Sequence, residues 1–304
     1  MANVLDNTTN AKFIPTIIAQ EALGAFAGYM NLAKTVARDF DYTPATSGET
    51  IKVPKRGVVT ANSKAAGSEV TLQNPTATDI SVTLNQHYEV TIVIDDVTKV
   101  LENQDTQSGY AVDGAIALAE QVETTIAALH PSVTSTVSFD ATSATTQENS
   151  FLRVRERMAL SKVPLLERKF AYLHPTIITK LLQIDRFTRA DAYGNNGVIA
   201  AGALGRIGGI DVFESQLVRS SGSPVTYHNL VYTRDAFILA SRPLPNVPEG
   251  YGAVSTVISD NNIGMGLRAV SSYDTKLQAM QITLDVLFGA AVLDTRRVIE
   301  LEST

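Results

Sequence analysis

The stretch GETIKVPKRGVVTANSKAAGSEVTLQNPTATDISVTLNQ spans residues 48–86 and decides how the rest of the chain is interpreted. Alternating runs at Thr50–Val53 and Asp79–Leu84 predict two strands, and prolines and glycines interrupt the segment between them. Its apolar content is too small to build a core, and a two-stranded hairpin alone in water is marginally stable at best. We therefore predict a long, open β-arm that acquires a fixed shape only against another surface.

The arm and the segment that follows it carry opposite charges. Residues 51–66 hold four basic residues and no acid, a net charge of +4, whereas residues 88–129 hold eight acids and one lysine, a net charge of −7. Two ordinary solvated surfaces would show the same contrast. Because the arm cannot fold alone, we favour an arm that lies across the acidic helix of another copy, where complementary charge fixes orientation and register. The contact candidates on these two segments are Lys52, Lys55, Arg56, Lys64, Asp113, Glu120 and Glu123.

A second basic group lies in the helix predicted over Phe151–Lys162. Its first turns carry Arg153, Arg155 and Arg157, and the group continues with Lys162, Arg168 and Lys169. A solvated helix face and ion pairs between subunits explain this group about equally well. The three arginines of the first turns complete the set of inter-subunit contact candidates.

Hydrophobic periodicity predicts the elements on either side of the arm. A helix is predicted over 16–38, a strand over Tyr88–Ile94, and a long helix over 109–129 whose acidic residues oppose its apolar stripe. The Ser/Thr-rich residues 132–150 are predicted to form a connector or a short exposed hairpin. The remaining predictions in the middle of the chain are strands at Lys169–Leu173 and Gly209–Ser215, a helix from His174 to about Ile184, and a strand with a short helix at Leu230–Ala240. One antiparallel sheet is predicted from Gly252–Ile258, Leu267–Tyr273, Gln278–Leu287 and Val292–Leu301, with a short Ala/Phe/Gly segment before the last strand.

The composition excludes several classes of protein. The 304-residue chain has no cysteine, which rules out disulfides, Cys-ligated metals and a cysteine nucleophile. A net charge of −6 argues against a sequence-reading DNA-binding protein, which needs a basic patch. The sequence shows neither a signal peptide nor an apolar run of about 18 residues. We therefore expect a soluble protein of the cytoplasm that does not associate with membranes.

The sequence shows no constellation of catalytic or metal-binding residues. It lacks a G-x-S-x-G elbow, and the glycine-rich GALGRIGG lacks the Gly-Lys-Ser/Thr of a phosphate loop. No two of the four histidines stand at i, i+4, and Asp95-Asp96 are more typical of helix-start charges than of a cation site. We therefore predict no catalytic residue, no cofactor site and no metal site, and a chain that is not an enzyme.

Seven segments follow one another in an order that is typical of one family. They are FIPTIIAQEALGAFAGYMNLAKTV, GETIKVPKRG, YEVTIVIDD, AVDGAIALAEQVETTIAAL, KVPLLERKFAYLHPTIITKLL, IGGIDVFESQLV and NLVYTRDAFILASRPLP. Their order and spacing over about 13–300 resemble tailed-phage major capsid proteins with the HK97-type fold, nearest to the P22-like coat branch.

This resemblance implies an α+β fold divided into named parts. They would be an N-arm with a helix at 1–47, an extended E-loop at 48–86, a P-domain at 87–150 and 251–304 with a long spine helix and an antiparallel sheet, and a mixed α/β A-domain at 151–250. The chain is too short to hold the large insertion domain of the P22 coat protein.

The resemblance also implies a role and a set of partners. The protein would self-assemble as hexamers and pentamers into an icosahedral shell around the double-stranded DNA of a tailed phage, and it would touch the packaged DNA without sequence preference. The lack of a long N-terminal extension implies a separate scaffolding protein, besides a portal and a decoration protein. Assembly of a procapsid that later matures would take place in the cytoplasm of the bacterial host, and the mature location would be the virion capsid. Lys64 is the one candidate for a loop cross-link, and nothing in the sequence supports that chemistry.

Two alternatives stay open on the sequence alone. An encapsulin-like nanocompartment shell would share the fold and enclose a cargo enzyme. A soluble hydrolase with an unrecognised site would turn over an ester or phosphoester substrate.

Overall fold

Two β-sheets and a separate two-stranded ribbon form the framework of the protein. The computed structural model describes residues 13–38, 50–55, 57, 59–96, 105–164, 166–184, 205–248, 252–260 and 264–304, with the backbone alone described at 13–18, 105–108 and 260. The helices are α1 (Phe13–Tyr29), α2 (Leu32–Thr35), α3 (Asp105–Ala127), α4 (Ala144–Leu160) and α5 (Pro175–Leu182). The strands are β1 (Thr50–Lys55), β2 (Thr78–Thr83), β3 (Gln86–Asp95), β4 (Thr136–Ser138), β5 (Lys169–Leu173), β6 (Arg206–Ile207), β7 (Ile210–Glu214), β8 (Ser220–Ser221), β9 (Thr226–Thr233), β10 (Phe237–Ser241), β11 (Ala253–Asp260), β12 (Met265–Asp274), β13 (Ala279–Val292) and β14 (Val298–Ser303).

The first sheet has five antiparallel strands around β13. This 14-residue strand pairs with β12, β3 and β10, and β12 pairs in turn with β11. Helices α1 and α3 pack on each other and on this sheet. The long helix α3 buries an alanine-rich stripe that ends in Leu118, Val122 and Ile126. Small side chains on this stripe let α3 lie close to both α1 and the sheet, and together they form the larger hydrophobic core.

The second sheet has seven strands in the order β4-β14-β9-β5-β7-β6, with β8 on β9. Most of its pairs are antiparallel, but β5–β7 and β4–β14 are parallel. Helices α4 and α5 cover it with Phe151, Met158 and Ile177, which belong to a second hydrophobic core. The strand Lys169–Leu173 and the helix after His174-Pro175 lie where the sequence predicts them. The His174 side chain accepts from the backbone N–H of Thr176 and so caps the start of that helix.

The single helix predicted over 16–38 is wrong as a continuous element. The helix ends at Tyr29, and a separate short helix begins at Leu32. The buried carboxylate of Glu123 accepts hydrogen bonds from the backbone N–H groups of Leu32 and Ala33. An acceptor from another helix therefore satisfies the donors at the new helix start and stabilises the break.

The connector predicted over 132–150 is also wrong in its second half. Helix α4 begins at Ala144, well before the predicted start at Phe151. Ser143 and Thr146 form a reciprocal capping box, in which each side chain accepts from the backbone N–H of the other residue. This local arrangement starts the helix inside a Ser/Thr-rich stretch that composition alone assigns to a loop.

The predicted C-terminal sheet needs two corrections. The Ala/Phe/Gly segment does not interrupt it, because strand β13 continues through Phe288 to Val292 to pair with β10. The last strand, β14, does not join this sheet and instead lies between β4 and β9 of the seven-stranded sheet. The chain therefore returns at its end to the sheet that contains β5. The domain boundaries given above stay a prediction.

Candidate self-association interface

The base of the arm is attached to the body of the protein. Strands β1 and β2 pair antiparallel over six residues, from Thr50 opposite Thr83 to Lys55 opposite Thr78. Ile51, Val82 and Leu84 are buried there together with residues of β10. The predicted strands of the arm are thus confirmed, but the expectation that the arm lacks any core is wrong for its base.

A glycine in the first sheet allows this attachment. A Cβ atom added to Gly289 would lie 2.1 Å from the carbonyl oxygen of Thr83 and 2.8 Å from its carbonyl carbon. Because these are backbone atoms, they cannot move aside as the end of a side chain could. Only glycine therefore fits at position 289, where β13 contacts the end of β2. The arm base therefore rests directly on the backbone of the sheet.

Beyond its base the arm has no covering of any kind within the described residues. Every residue from 59 to 79 is exposed, including three large apolar side chains. Val59 is 65% exposed, Val70 is 63% exposed and Leu72 is 89% exposed. We call residues 59–77 the distal arm. Its apolar side chains gain nothing from the rest of this chain and would be stabilised only by another molecule.

The distal arm keeps its two limbs together by local contacts. A Cβ at Gly57 would lie 2.5 Å from the carbonyl oxygen of Thr76, so the limbs touch where they leave the base. Further out, the Gln73 side chain accepts from the backbone N–H of Thr60 at 2.9 Å and donates to its carbonyl oxygen. Gly67 supplies a positive φ of 81° at the tip. These contacts hold an extended shape without regular strand pairing.

The basic residues of the arm do not form one free patch. The ammonium group of Lys55 lies 3.4 Å from the carboxylate of Asp294, which is buried in the same chain. Burial raises the pKa of Asp294, but hydrogen bonds from Arg296 and the charges of Lys55 and Arg296 outweigh it and lower the pKa to about 2. Lys55 is therefore paired within its own chain, and its role as a contact to another copy stays a prediction.

The other arm candidates differ in position. Lys52 is exposed on β1, and Lys64 is exposed near the tip. Arg56 lies outside the described residues. The contact roles of Lys52, Lys64 and Arg56 stay predictions.

The acidic candidates of helix α3 divide in the same way. Asp113 and Glu120 are exposed, whereas Glu123 is 1% exposed. The carboxylate of Glu123 receives the N–H groups of Leu32 and Ala33 at 2.9 and 2.8 Å. Glu123 therefore caps a helix within its own chain, and its prediction as an inter-subunit contact is wrong.

Burial gives Glu123 unusual electrostatics. It raises the pKa of this carboxyl group, and the hydrogen bonds from Ala33, Leu32 and Tyr172 counteract only part of that effect. Burial also raises the pKa of Tyr172, and the negative charge of Glu123 raises it further. The Glu123 carboxylate thus connects helix α3 to the start of helix α2.

Solved structures of phage proteins are similar to this chain in their overall fold. A chain from Mycobacterium phage Che8 matches with a TM-score of 0.66 and 17% sequence identity, over 91% of this chain and 90% of that one. The capsid of the cyanophage P-SCSP1u matches with a TM-score of 0.64 and 17% identity, over 89% and 86% of the two chains. The protein has the α+β fold of phage capsid proteins. This is the HK97-like fold that the sequence predicts.

The same fold occurs outside phages. A virus-like particle from Pyrococcus furiosus matches with a TM-score of 0.53 and 7% identity, over 94% of this chain and 98% of that one. No protein-family model and no curated protein matches the sequence. Within the described residues no helix is long and apolar enough to cross a membrane.

The three contact candidates on helix α4 are exposed. Both interpretations of this basic group, a solvated helix face and ion pairs between subunits, require that exposure. Arg153, Arg155 and Arg157 are all exposed. Arg153 and Arg157 line a shallow groove between α4 and β4, which ends at Leu160. Leu160 is 73% exposed, so this face combines charge with apolar surface. Whether these arginines contact another copy stays a prediction.

Sequence reasoning missed three features of this interface. Glu123 stands four residues after Ala119, which places it within the buried stripe of α3, and that spacing could have revealed its burial. The close approach at Gly289 leaves only a lone glycine inside a strand as a signal. The partner of Lys55 is 239 positions away along the chain, and no local pattern indicates it.

Proposed function

We propose that this protein is a structural major capsid protein that self-assembles into an icosahedral shell. The observation that carries the proposal is the distal arm, in which every described residue from 59 to 79 is exposed while the base is held on the body. A limb of this kind lowers its free energy when a second copy covers Val70 and Leu72. Sixfold and fivefold rings that close would accommodate such repeated head-to-tail contacts.

The finer parts of the proposal rest on the resemblance to the HK97-type fold. The shell would enclose the double-stranded DNA of a tailed phage, and the chain would belong to the P22-like branch without the large insertion domain. Assembly in the bacterial cytoplasm would be guided by a separate scaffolding protein, and a portal and a decoration protein would be further partners. The role is structural, so we propose no catalytic activity.

Charge supports a defined register for the arm. Lys52 and Lys64 are exposed on the arm, and Asp113 and Glu120 are exposed on helix α3. Opposite charges on two surfaces of one chain favour a heterologous contact between copies, because such pairs select orientation more than they add affinity.

Sedimentation velocity and electron microscopy of the purified full chain over a range of concentrations test the proposal. We expect closed particles, and we expect the variant Val70→Ser with Leu72→Ser to remain unassembled at concentrations where the parent assembles. Leu277→Ser is the matched control, since Leu277 is 62% exposed but lies outside the arm. Compact monomers under every condition, with and without co-expressed neighbouring genes, would contradict the proposal.

A nanocompartment shell is a second candidate, because a virus-like particle from Pyrococcus furiosus has the same fold. The contents of particles purified from the native source distinguish the two. Nuclease-protected DNA supports the phage shell, and an enclosed protein without DNA supports the compartment.

A further inference from the structure

Two histidines and a glutamate meet where helix α3 ends against the seven-stranded sheet. His130 Nδ1 lies 3.2 Å from Glu300 Oε1, and His228 Nδ1 lies 2.5 Å from the same oxygen. The two imidazole rings stack with their centroids 4.0 Å apart and their planes at 17°. One nitrogen of each ring and one carboxylate oxygen thus converge, and all lie within 4.8 Å of one another.

Three separate segments position these groups. His130 begins the short 3₁₀ helix that follows α3, His228 lies on β9, and Glu300 lies on the adjacent strand β14. In the antiparallel register His228 is opposite Glu302, so Glu300 is displaced by two residues and shares its face of the sheet. The cluster joins the end of α3 to two neighbouring strands.

The surroundings of the cluster suit a bound cation. Glu300 is 5% exposed and His228 is 9% exposed. Among the described residues, the ion pairs of Glu300 are with these two histidines, which are charged only when protonated. With neutral rings, neither histidine supplies a positive charge to this buried carboxylate, and burying a carboxylate without such a partner is costly.

A neighbouring serine holds one ring in a suitable orientation. Ser221 Oγ lies 2.6 Å from His228 Nε2 and can accept the proton of that nitrogen. In the ion-free structure His228 Nδ1 carries the proton and donates it to Glu300. When an ion binds, the proton would move to Nε2, where Ser221 accepts it, and Nδ1 would offer its lone pair to the ion. Metal-binding histidines commonly donate their second N–H in this manner, which fixes the ring and its tautomer.

We propose that His130, His228 and Glu300 bind one divalent transition-metal ion of the zinc class. The ligands would be the two Nδ1 atoms and a carboxylate oxygen, and water would complete a tetrahedral set beside the partly exposed His130. Bonds of about 2.0–2.1 Å separate tetrahedral ligand atoms by roughly 3.3 Å. The present contacts to Glu300 are 3.2 and 2.5 Å, and the two rings are stacked 4.0 Å apart. Binding therefore requires the rings to rotate out of their stack until both Nδ1 lone pairs point at the ion, and the contact at His228 to open. The ion would cross-link α3, β9 and β14 within one chain, and the proposal is independent of the proposed function.

Zinc titration of the chelator-treated full chain by calorimetry, with metal content measured by mass spectrometry, tests the site. The parent should bind one zinc ion per chain and unfold at a higher temperature with zinc than with chelator. Glu300→Gln keeps an acceptor for both rings but loses the charge, so it should fold and bind zinc roughly tenfold or more weakly. His228→Gln should also lose binding, whereas His87→Gln, an exposed histidine outside the cluster, should bind like the parent.

A spectroscopic readout separates this site from adventitious binding. Cobalt(II) in a tetrahedral site gives visible absorption, which we expect for the parent and for His87→Gln but not for Glu300→Gln. No zinc bound to the parent would overturn the proposal. Equal zinc affinity in the parent, His228→Gln and Glu300→Gln would overturn it too, because the ion would then be held elsewhere.

Discussion

The base and the distal part of the arm have similar compositions but different surroundings. At the base, Ile51 and Val82 are buried against β10, and the backbone of β2 touches Gly289. In the distal arm, Val70 and Leu72 have no such cover, and they are 63% and 89% exposed. The difference shows that the chain itself stabilises the first part of the arm and leaves the second part exposed, where we propose that another copy covers it. Changes in the body and base should therefore alter folding, whereas changes in the distal arm should alter assembly.

The largest effect on folding is expected from Ile126→Asp in helix α3. Ile126 is 0% exposed in the main core, and a buried carboxylate without a partner should lower the free energy of unfolding by several kcal/mol. Chemical denaturation measures the loss. Ala117→Asp, at an exposed position of the same helix, is the control and should unfold much like the parent. Equal stability of the two variants would show that Ile126 is not in the core.

Gly289→Ala should detach the arm base from the sheet. The new Cβ would lie 2.1 Å from a backbone oxygen of Thr83, and the resulting shift should cost about 1–3 kcal/mol. Amide exchange in β2 should rise together with the loss of stability. Gly28→Ala is the control, because a Cβ at position 28 contacts nothing within 4 Å. This substitution should stabilise helix α1 by up to about 1 kcal/mol. Unchanged amide exchange in β2 of the Gly289→Ala variant would disprove the close approach of β2 to β13.

The hydrogen bonds from Arg296 and the charges of Lys55 and Arg296 keep Asp294 ionised, and this ion pair should make stability depend on acid pH. The folded-state pKa of Asp294 is about 2, below its ordinary value of 3.8, so its ionised form stabilises the native state. That contribution is fully present above pH 3.8 and disappears as the pH falls through about 2. Asp294→Asn should therefore be about 1–2 kcal/mol less stable than the parent near neutral pH and equally stable at the acid end. A stability difference independent of pH would contradict the ion pair.

The smallest effect on folding is expected from Lys52→Glu combined with Lys64→Glu. Both lysines are exposed, so the free energy of unfolding should change by less than about 0.5 kcal/mol. Assembly should weaken, most strongly at low salt, because the arm would then face acidic residues of another copy. Lys276→Glu, an exposed lysine on a turn outside the arm, should assemble normally at every salt concentration. Normal assembly of the double variant would show that charge does not set the register of the arm on another copy.

Local patterns predicted those parts of the fold that depend on local sequence. Alternation located β1 and β2, and an apolar stripe located helix α3, because both periods are properties of the chain itself. The break before Leu32 could not be predicted, since its acceptor, Glu123, comes from a distant helix. The sheet to which Val298–Ser303 belongs was equally beyond local reasoning, because its partner strands are far away in the sequence.

The candidate interface was predicted in outline but not in detail. The sequence predicted an arm that needs a partner, and the structure buries the base of the arm but leaves residues 59–77 exposed. Charge counting treated Lys55 and Glu123 as available, although each is occupied within its own chain. A net charge over a segment does not distinguish exposed side chains from those already paired in the fold.

Hydrogen–deuterium exchange on the full chain, compared between dilute unassembled protein and assembled particles, tests the central claim most directly. The amides of β1 and β2 should be protected in both states, and those of the distal arm should exchange freely in the dilute protein and become protected on assembly. Strong protection of residues 59–77 in the dilute, unassembled chain, or free exchange of those residues in the particle, would contradict the account.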